Sequence, residues 1–156
     1  MSNGFRRWLA IPMFAFLSLS ALADGPICGA HKGPALGGYD PVAYFTVGKP
    51  QQGDPEIKVE WSGATWHFAN AEHRDRFLKE PVKYAAQYGG FCAYAVSKGG
   101  QVNGDPERWK IVDGRLYLNN NWLAQNLWLR AIPEKVKKAD DLWPELKVKI
   151  QSGTGW

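Results

Sequence analysis

PERWKIVDGRLYLN, residues 106–119, decides the fold class. Trp109-Lys110-Ile111-Val112 and Arg115-Leu116-Tyr117-Leu118 flank Asp113-Gly114. Asp-Gly suits a two-residue hairpin turn because both central positions need positive φ, which this pair tolerates. The stretch therefore reads as two antiparallel strands. A second hairpin lies upstream. Ile57-Lys58-Val59-Glu60-Trp61 alternates apolar and polar side chains, Ser62-Gly63 supplies a turn, and Thr65-Trp66-His67-Phe68 returns. That period of two is the mark of a half-buried strand.

Helices fill the intervals. Asn70 is placed to cap a helix over 71–79, with Glu72 in its first turn and Phe77 and Leu78 facing inward. Pro81 opens a short helix that puts Tyr84 and Tyr88 on one side, and Gly89-Gly90 ends it. Asn121 caps a helix reaching about Arg130, and Pro133 opens a last helix that closes near Trp143-Pro144. Val42 to Phe45 is a short β-prone run, and 91–98 fits helix or strand equally. No internal repeat stands out. Two hairpins separated and followed by short helices give an α+β fold, a small antiparallel sheet built from two hairpins and packed with several short helices.

The N-terminus reads differently from the rest. Arg6-Arg7 precedes an apolar stretch from Trp8 to Leu22, and Ala21-Leu22-Ala23 matches a cleavage site, so residues 1–23 are read as a signal peptide. The apolar stretch, about fifteen residues, is short for a span that needs roughly twenty. Residues 24–34 read as an extended N-terminal arm and 147–156 as a C-terminal tail. The chain is thus expected to be periplasmic or secreted, with no membrane attachment after cleavage. Taking Arg6 and Arg7 from the 19 basic residues leaves 17 against 15 acidic, a net of +2. So weak a field does not point to nucleic acid.

Several motifs resemble the YHS-domain family. Gly38-Tyr39-Asp40-Pro41-Val42-Ala43-Tyr44-Phe45 resembles its opening motif. Trp66-x-Phe68-Ala69, Arg74-Asp75-x-Phe77 and Pro81-x-x-Tyr84 are similar to its middle, and Gln87 to Ser97 to its most recognisable stretch. Val112-Asp113-Gly114-x-Leu116-Tyr117-Leu118-Asn119 and Ala139-Asp140-x-x-Trp143-Pro144 are similar to the exported subgroup. The resemblance covers residues 35–146. It implies a domain found beside metal-handling proteins, some members of which are thought to bind metals. Those relatives carry cysteine just after Asp-Pro-Val, where this chain has Ala43. The exported subgroup implies no particular reaction.

Cys92 is the first candidate for chemistry. A thiolate suits Cu(I) or Zn(II), but a cysteine also packs as a small apolar side chain. Cys28-Gly29-Ala30-His31 has a C-x-x-H spacing that lets both side chains reach one ion. Cys28, His31 and Cys92 together would form a thiolate-rich site for copper or zinc. His67, on the hairpin face opposite Trp66 and Phe68, is a further candidate ligand. Alternatively Cys28 and Cys92 form a disulfide, closing about 64 residues and worth around 4 kcal/mol in the chain-entropy model. A nucleophilic Cys92 would need a base such as His67. Tyr39, Tyr44, Tyr88, Tyr94, Trp109 and Tyr117 can line a small-ligand pocket or simply form the core. No G-x-S-x-G, H-E-x-x-H or phosphate-cradling loop is present in the sequence. The sequence therefore favours an exported binding or accessory module over an enzyme. Its expected partner is a metal ion or a small ligand, and which protein it meets is not readable from the sequence.

Overall fold

The structure, a computed structural model, describes residues 25–153. The signal-peptide reading of residues 1–23 lies outside the described residues. The fold is α+β. Its elements in order are α1 (Ala43–Thr46), β1 (Asp54–Trp61), β2 (Ala64–Phe68), α2 (Ala71–Lys79), α3 (Pro81–Tyr84), α4 (Ala93–Val96), β3 (Asp105–Val112), β4 (Arg115–Asn119), α5 (Trp122–Leu129) and α6 (Ile132–Gln151). Each hairpin forms its own two-stranded antiparallel sheet, so the expected single sheet is two sheets.

The turn chemistry works as the sequence implies. Ser62-Gly63 and Asp113-Gly114 both take positive φ, at 52° and 71° and at 50° and 73°. Asn70 and Asn121 both cap, accepting from the backbone N–H of His73 and of Ala124. Each side chain satisfies one of the donors that a helix start leaves unpaired.

Two apolar clusters stabilise the fold. The first gathers Val42, Tyr44, Trp66, Phe68 and Phe77 with Leu116 and Leu118. The second gathers Tyr88, Phe91, Val96, Tyr117 and Trp128 with Ala139 and Leu146 of α6. Strand β4 serves both, with Leu116 and Leu118 in the first cluster and Tyr117 in the second. Alternation along a strand sends neighbours to opposite faces, which is why one strand can join two cores.

The chain contains an internal repeat, contrary to the sequence reading. Leu36-Gly37-Gly38 and Tyr88-Gly89-Gly90 follow the same left-handed path, with φ of 53°, 62° and 84° against 53°, 61° and 86°. Two residues on, Asp40 N–H donates to Gln51 O and Cys92 N–H donates to Val102 O, both at 2.8 Å. Gly53 donates to Gly38 O, and Gly104 to Gly90 O. Both Gly-Asp-Pro-Glu sequences, at 53–56 and 104–107, start a bulged hairpin. Asp54 and Asp105 each accept from the N–H two residues on at 2.9 Å. Each unit then continues into its Asn-capped helix. There Phe77 packs on Trp66 at 5.1 Å, and Trp128 on Tyr117 at 5.2 Å. The sequence hides the repeat because Pro41-Val42 has no counterpart in the second unit, which shifts the frame.

Other local expectations are corrected. The β-prone run at 42–45 is helical from Ala43, because Asp40 Oδ1 accepts from Val42 N–H and Ala43 N–H and turns the chain. Leu78 is 57% exposed rather than inward, whereas Phe77 is buried. Tyr84 and Tyr88 do not share a helix. The last helix runs through Pro144 to Gln151, so part of the expected tail is helical. Pro144 costs a helix bond, but Trp143 packs on Tyr88, and Leu146 is buried with Ile150 against it. The segment after Gly25 is a series of turns, not an extended arm. Cys28 N–H donates to Gly89 O, Ile27 and Ala30 pack on the first cluster, and Cys28 belongs to the second.

Candidate functional site

The second unit seats Cys92 at the start of α4, with 1% of its surface exposed. Its Sγ lies 3.7 Å from Asn119 Oδ1, which also accepts from Tyr94 N–H at 3.2 Å. The other atom of that amide, Asn119 Nδ2, is buried without a hydrogen-bond partner. Cys92 lies at the edge of a groove of about 260 Å³, walled by Tyr94, Val102, Leu123, Ala124 and Leu127. The wall is mainly apolar, with Asn120 and Asn121 supplying polar groups.

The proposed metal ligands are not brought together. Cys28 lines a cavity with Pro34, Leu36 and Gly104, whereas His31 lines another with Ile27 and Phe91. Cys92 faces the third, described above. Among the described residues, no group of three His, Cys, Asp or Glu side chains is placed to hold a metal ion. The C-x-x-H spacing falls on a turn in which Cys28 is buried and His31 exposed, so short sequence distance does not give convergence. His67 lies on β2, opposite Lys58 and against Gly53 and Gly38, in the other unit from Cys92. Cys28 and Cys92 are both free thiols, so the expected alternative bond is not formed. Burial pushes the Cys28 thiol up, partly offset by a hydrogen bond from the Gly104 backbone.

The six aromatic residues divide between the two cores instead of lining one pocket. Tyr44 is buried in the first, edge-on to Trp109 at 5.2 Å, with Tyr39 also packed there. Tyr88 and Tyr117 are buried in the second, with Tyr94 packed against them. Only Tyr94 of the six reaches the groove beside Cys92. The reason is the dual use of β4 and of the turn at Tyr88, which draw these rings to opposite sides.

Comparison with family models, with curated proteins and with solved structures finds no match.

Asp40 accepts backbone hydrogen bonds in the turn at Pro41, as its place before a proline implies, but its pairing with His73 is not evident from the sequence. Asp40 is fully buried. Its Oδ2 accepts from Ala69 N–H at 2.8 Å and lies 2.6 Å from His73 Nδ1. With Val42 and Ala43 on Oδ1, the carboxylate ties the starts of α1 and α2 to the end of β2. His73 Nε2 lies 3.0 Å from Thr46 Oγ1. The order carboxylate, imidazole, hydroxyl is that of a nucleophile relay. Here the hydroxyl also lies 3.1 Å from Val42 O in its own helix, and the carboxylate is occupied by backbone donors. The arrangement acts as a structural staple. The signal in the sequence was the position of His73, three residues after the cap Asn70, on the side of α2 that faces Asp40.

Proposed function

We propose that this chain is an exported binding module of the YHS type whose ligand seat is the groove between α4, Val102 and α5. The single observation that carries this reading is the composition of the groove. Apolar walls from Val102, Leu123, Ala124 and Leu127 meet a few polar groups, the Cys92 thiol at the edge and the Asn120 and Asn121 amides. A concave, mostly apolar site with a few fixed polar groups is the usual form of a small-molecule site. The proposed ligand is therefore small and largely apolar, with one polar group.

The test uses the isotopically labelled mature chain, residues 24–156, screened by amide NMR against small apolar compounds. Binders should shift the signals of Cys92, Val102, Ala124 and Leu127, and Ala124→Phe, which fills the groove, should remove the effect. Hits clustered elsewhere, or no hits, would overturn the reading. A metal role would require Cys28, His31 and Cys92 to leave three separate cavities for one point, and no feature of the groove favours that.

A further inference from the structure

The repeat identifies what kind of chemical group the groove is shaped for. In the first unit Asp40 occupies the position two residues after the Gly-Gly pair, and His73 the position three after the capping Asn. In the second unit these positions are Cys92 and Ala124. Both line the groove. The first unit fills this place with an imidazole from its own helix. The second has replaced that ring by a methyl group and left the space open. The helix start is still satisfied, because Asn119 Oδ1 accepts from Tyr94 N–H where Asp40 served α1.

Hydrogen-bond direction is retained as well. Asp40 Oδ2 is an acceptor facing the His73 ring nitrogen at 2.6 Å. The Cys92 S–H points to Asn119 Oδ1, which leaves the sulfur lone pairs to accept. The surrounding walls changed in step. The counterparts of Glu72 and Arg76 on α2 are Leu123 and Leu127 on α5, and both leucines line the groove. An ion pair on the first unit's helix surface corresponds to an apolar wall in the second.

We infer that the groove takes a planar heteroaromatic ring bearing an N–H, of the imidazole or benzimidazole class, seated as His73 is seated in the first unit. The N–H donates to Cys92 Sγ, the group that holds the place of Asp40 in the second unit. This rests on the binding-module reading and names the ligand class for that same groove.

The experiment compares benzimidazole, 1-methylbenzimidazole and indene on the reduced mature chain by amide NMR titration. These share a shape and differ in N–H and ring nitrogen. Benzimidazole should bind at the groove at least about tenfold more tightly than either of the others, the scale of one lost hydrogen bond. Ala124→Phe should abolish the shifts while leaving the remaining spectrum folded. In the reciprocal variant His73→Ala, free imidazole should raise the melting temperature by refilling the first unit's cavity. Equal binding of all three compounds would overturn the N–H assignment and leave an apolar seat. Failure of all three, with other apolar compounds binding, would overturn the ring class alone. Failure of every compound at the groove would remove the binding-module reading too.

Discussion

His73 Nδ1 meets Asp40 Oδ2 at 2.6 Å across 33 residues of sequence, and both side chains are almost wholly buried. The pair connects the turn before α1 to the first turn of α2. Because Asp40 also accepts three backbone N–H groups, its removal strands several donors together.

Asp40→Ala should therefore destabilise the chain by about 3–5 kcal/mol, the range for breaking a buried pair by loss of one partner. His73→Ala should cost less, because the carboxylate keeps its backbone donors. Urea denaturation followed by tryptophan fluorescence gives both values. Equal costs for the two variants would contradict the staple described for Asp40.

Gly89 is a second sensitive point. Its φ is +61°, and an added Cβ would run into the carbonyl oxygen of Pro26. Gly89→Ala should cost about 1–3 kcal/mol as an overpacked contact and loosen residues 25–33 from the body. Limited proteolysis should then cut near Lys32 faster than in the unaltered chain. An unchanged cleavage rate would mean that the segment is held by other contacts.

Alkaline pH should destabilise the fold. Burial raises the Cys28, Tyr44, Tyr88 and Tyr117 side chains above their ordinary values, and the Asp140 carboxylate adds to the effect on Tyr88. Each group's folded pKa exceeds its unfolded one, so the folded state retains the proton more firmly. That contribution is complete below the unfolded values, about 8.5 for Cys and about 10 for Tyr, and is lost as pH rises through the folded values. The melting temperature should be level near neutrality and fall above about pH 9. Tyr88→Phe should lower it at neutral pH, by removing the 2.8 Å bond to Asp140, and make the alkaline fall shallower. Parallel curves for the two proteins would sink the assignment to Tyr88.

Copper offers a direct check on the separated thiols. Cu(I) titrated into the reduced chain in the presence of a competing chelator should remain on the chelator. A one-to-one protein complex that disappears in both Cys92→Ser and Cys28→Ser would show that the chain rearranges to bring the two sulfurs to one ion.

The hairpins, the Asn caps and the α+β class were legible because each depends on a local rule. Alternation marks a strand, Asp-Gly marks the turn, and an Asn before a helix marks its start. The inward place of His73 was not legible because a histidine in a charged helix looks solvent-facing until its long-range partner is known. Pro144 looked like a stop because the packing of Trp143 and Leu146 is not a local property. The metal ligands were grouped by spacing, yet the turn at 27–33 and the two-sided use of β4 separate them. The repeat left signals in the sequence, the two Gly-Asp-Pro-Glu starts and the two Gly-Gly pairs, but the frame shift at Pro41-Val42 conceals their register. The emptied groove follows only once Cys92 and Ala124 are set against Asp40 and His73.

The segment from Gly25 to Gly33 reaches both apolar clusters through Ile27 and Cys28. It therefore behaves as a strap across the seam between the two units. A protease cutting after Ala30 would remove Ile27, Cys28 and Ala30 together and release both halves from their common clasp, so the position of the new amino terminus sets how firmly they stay together.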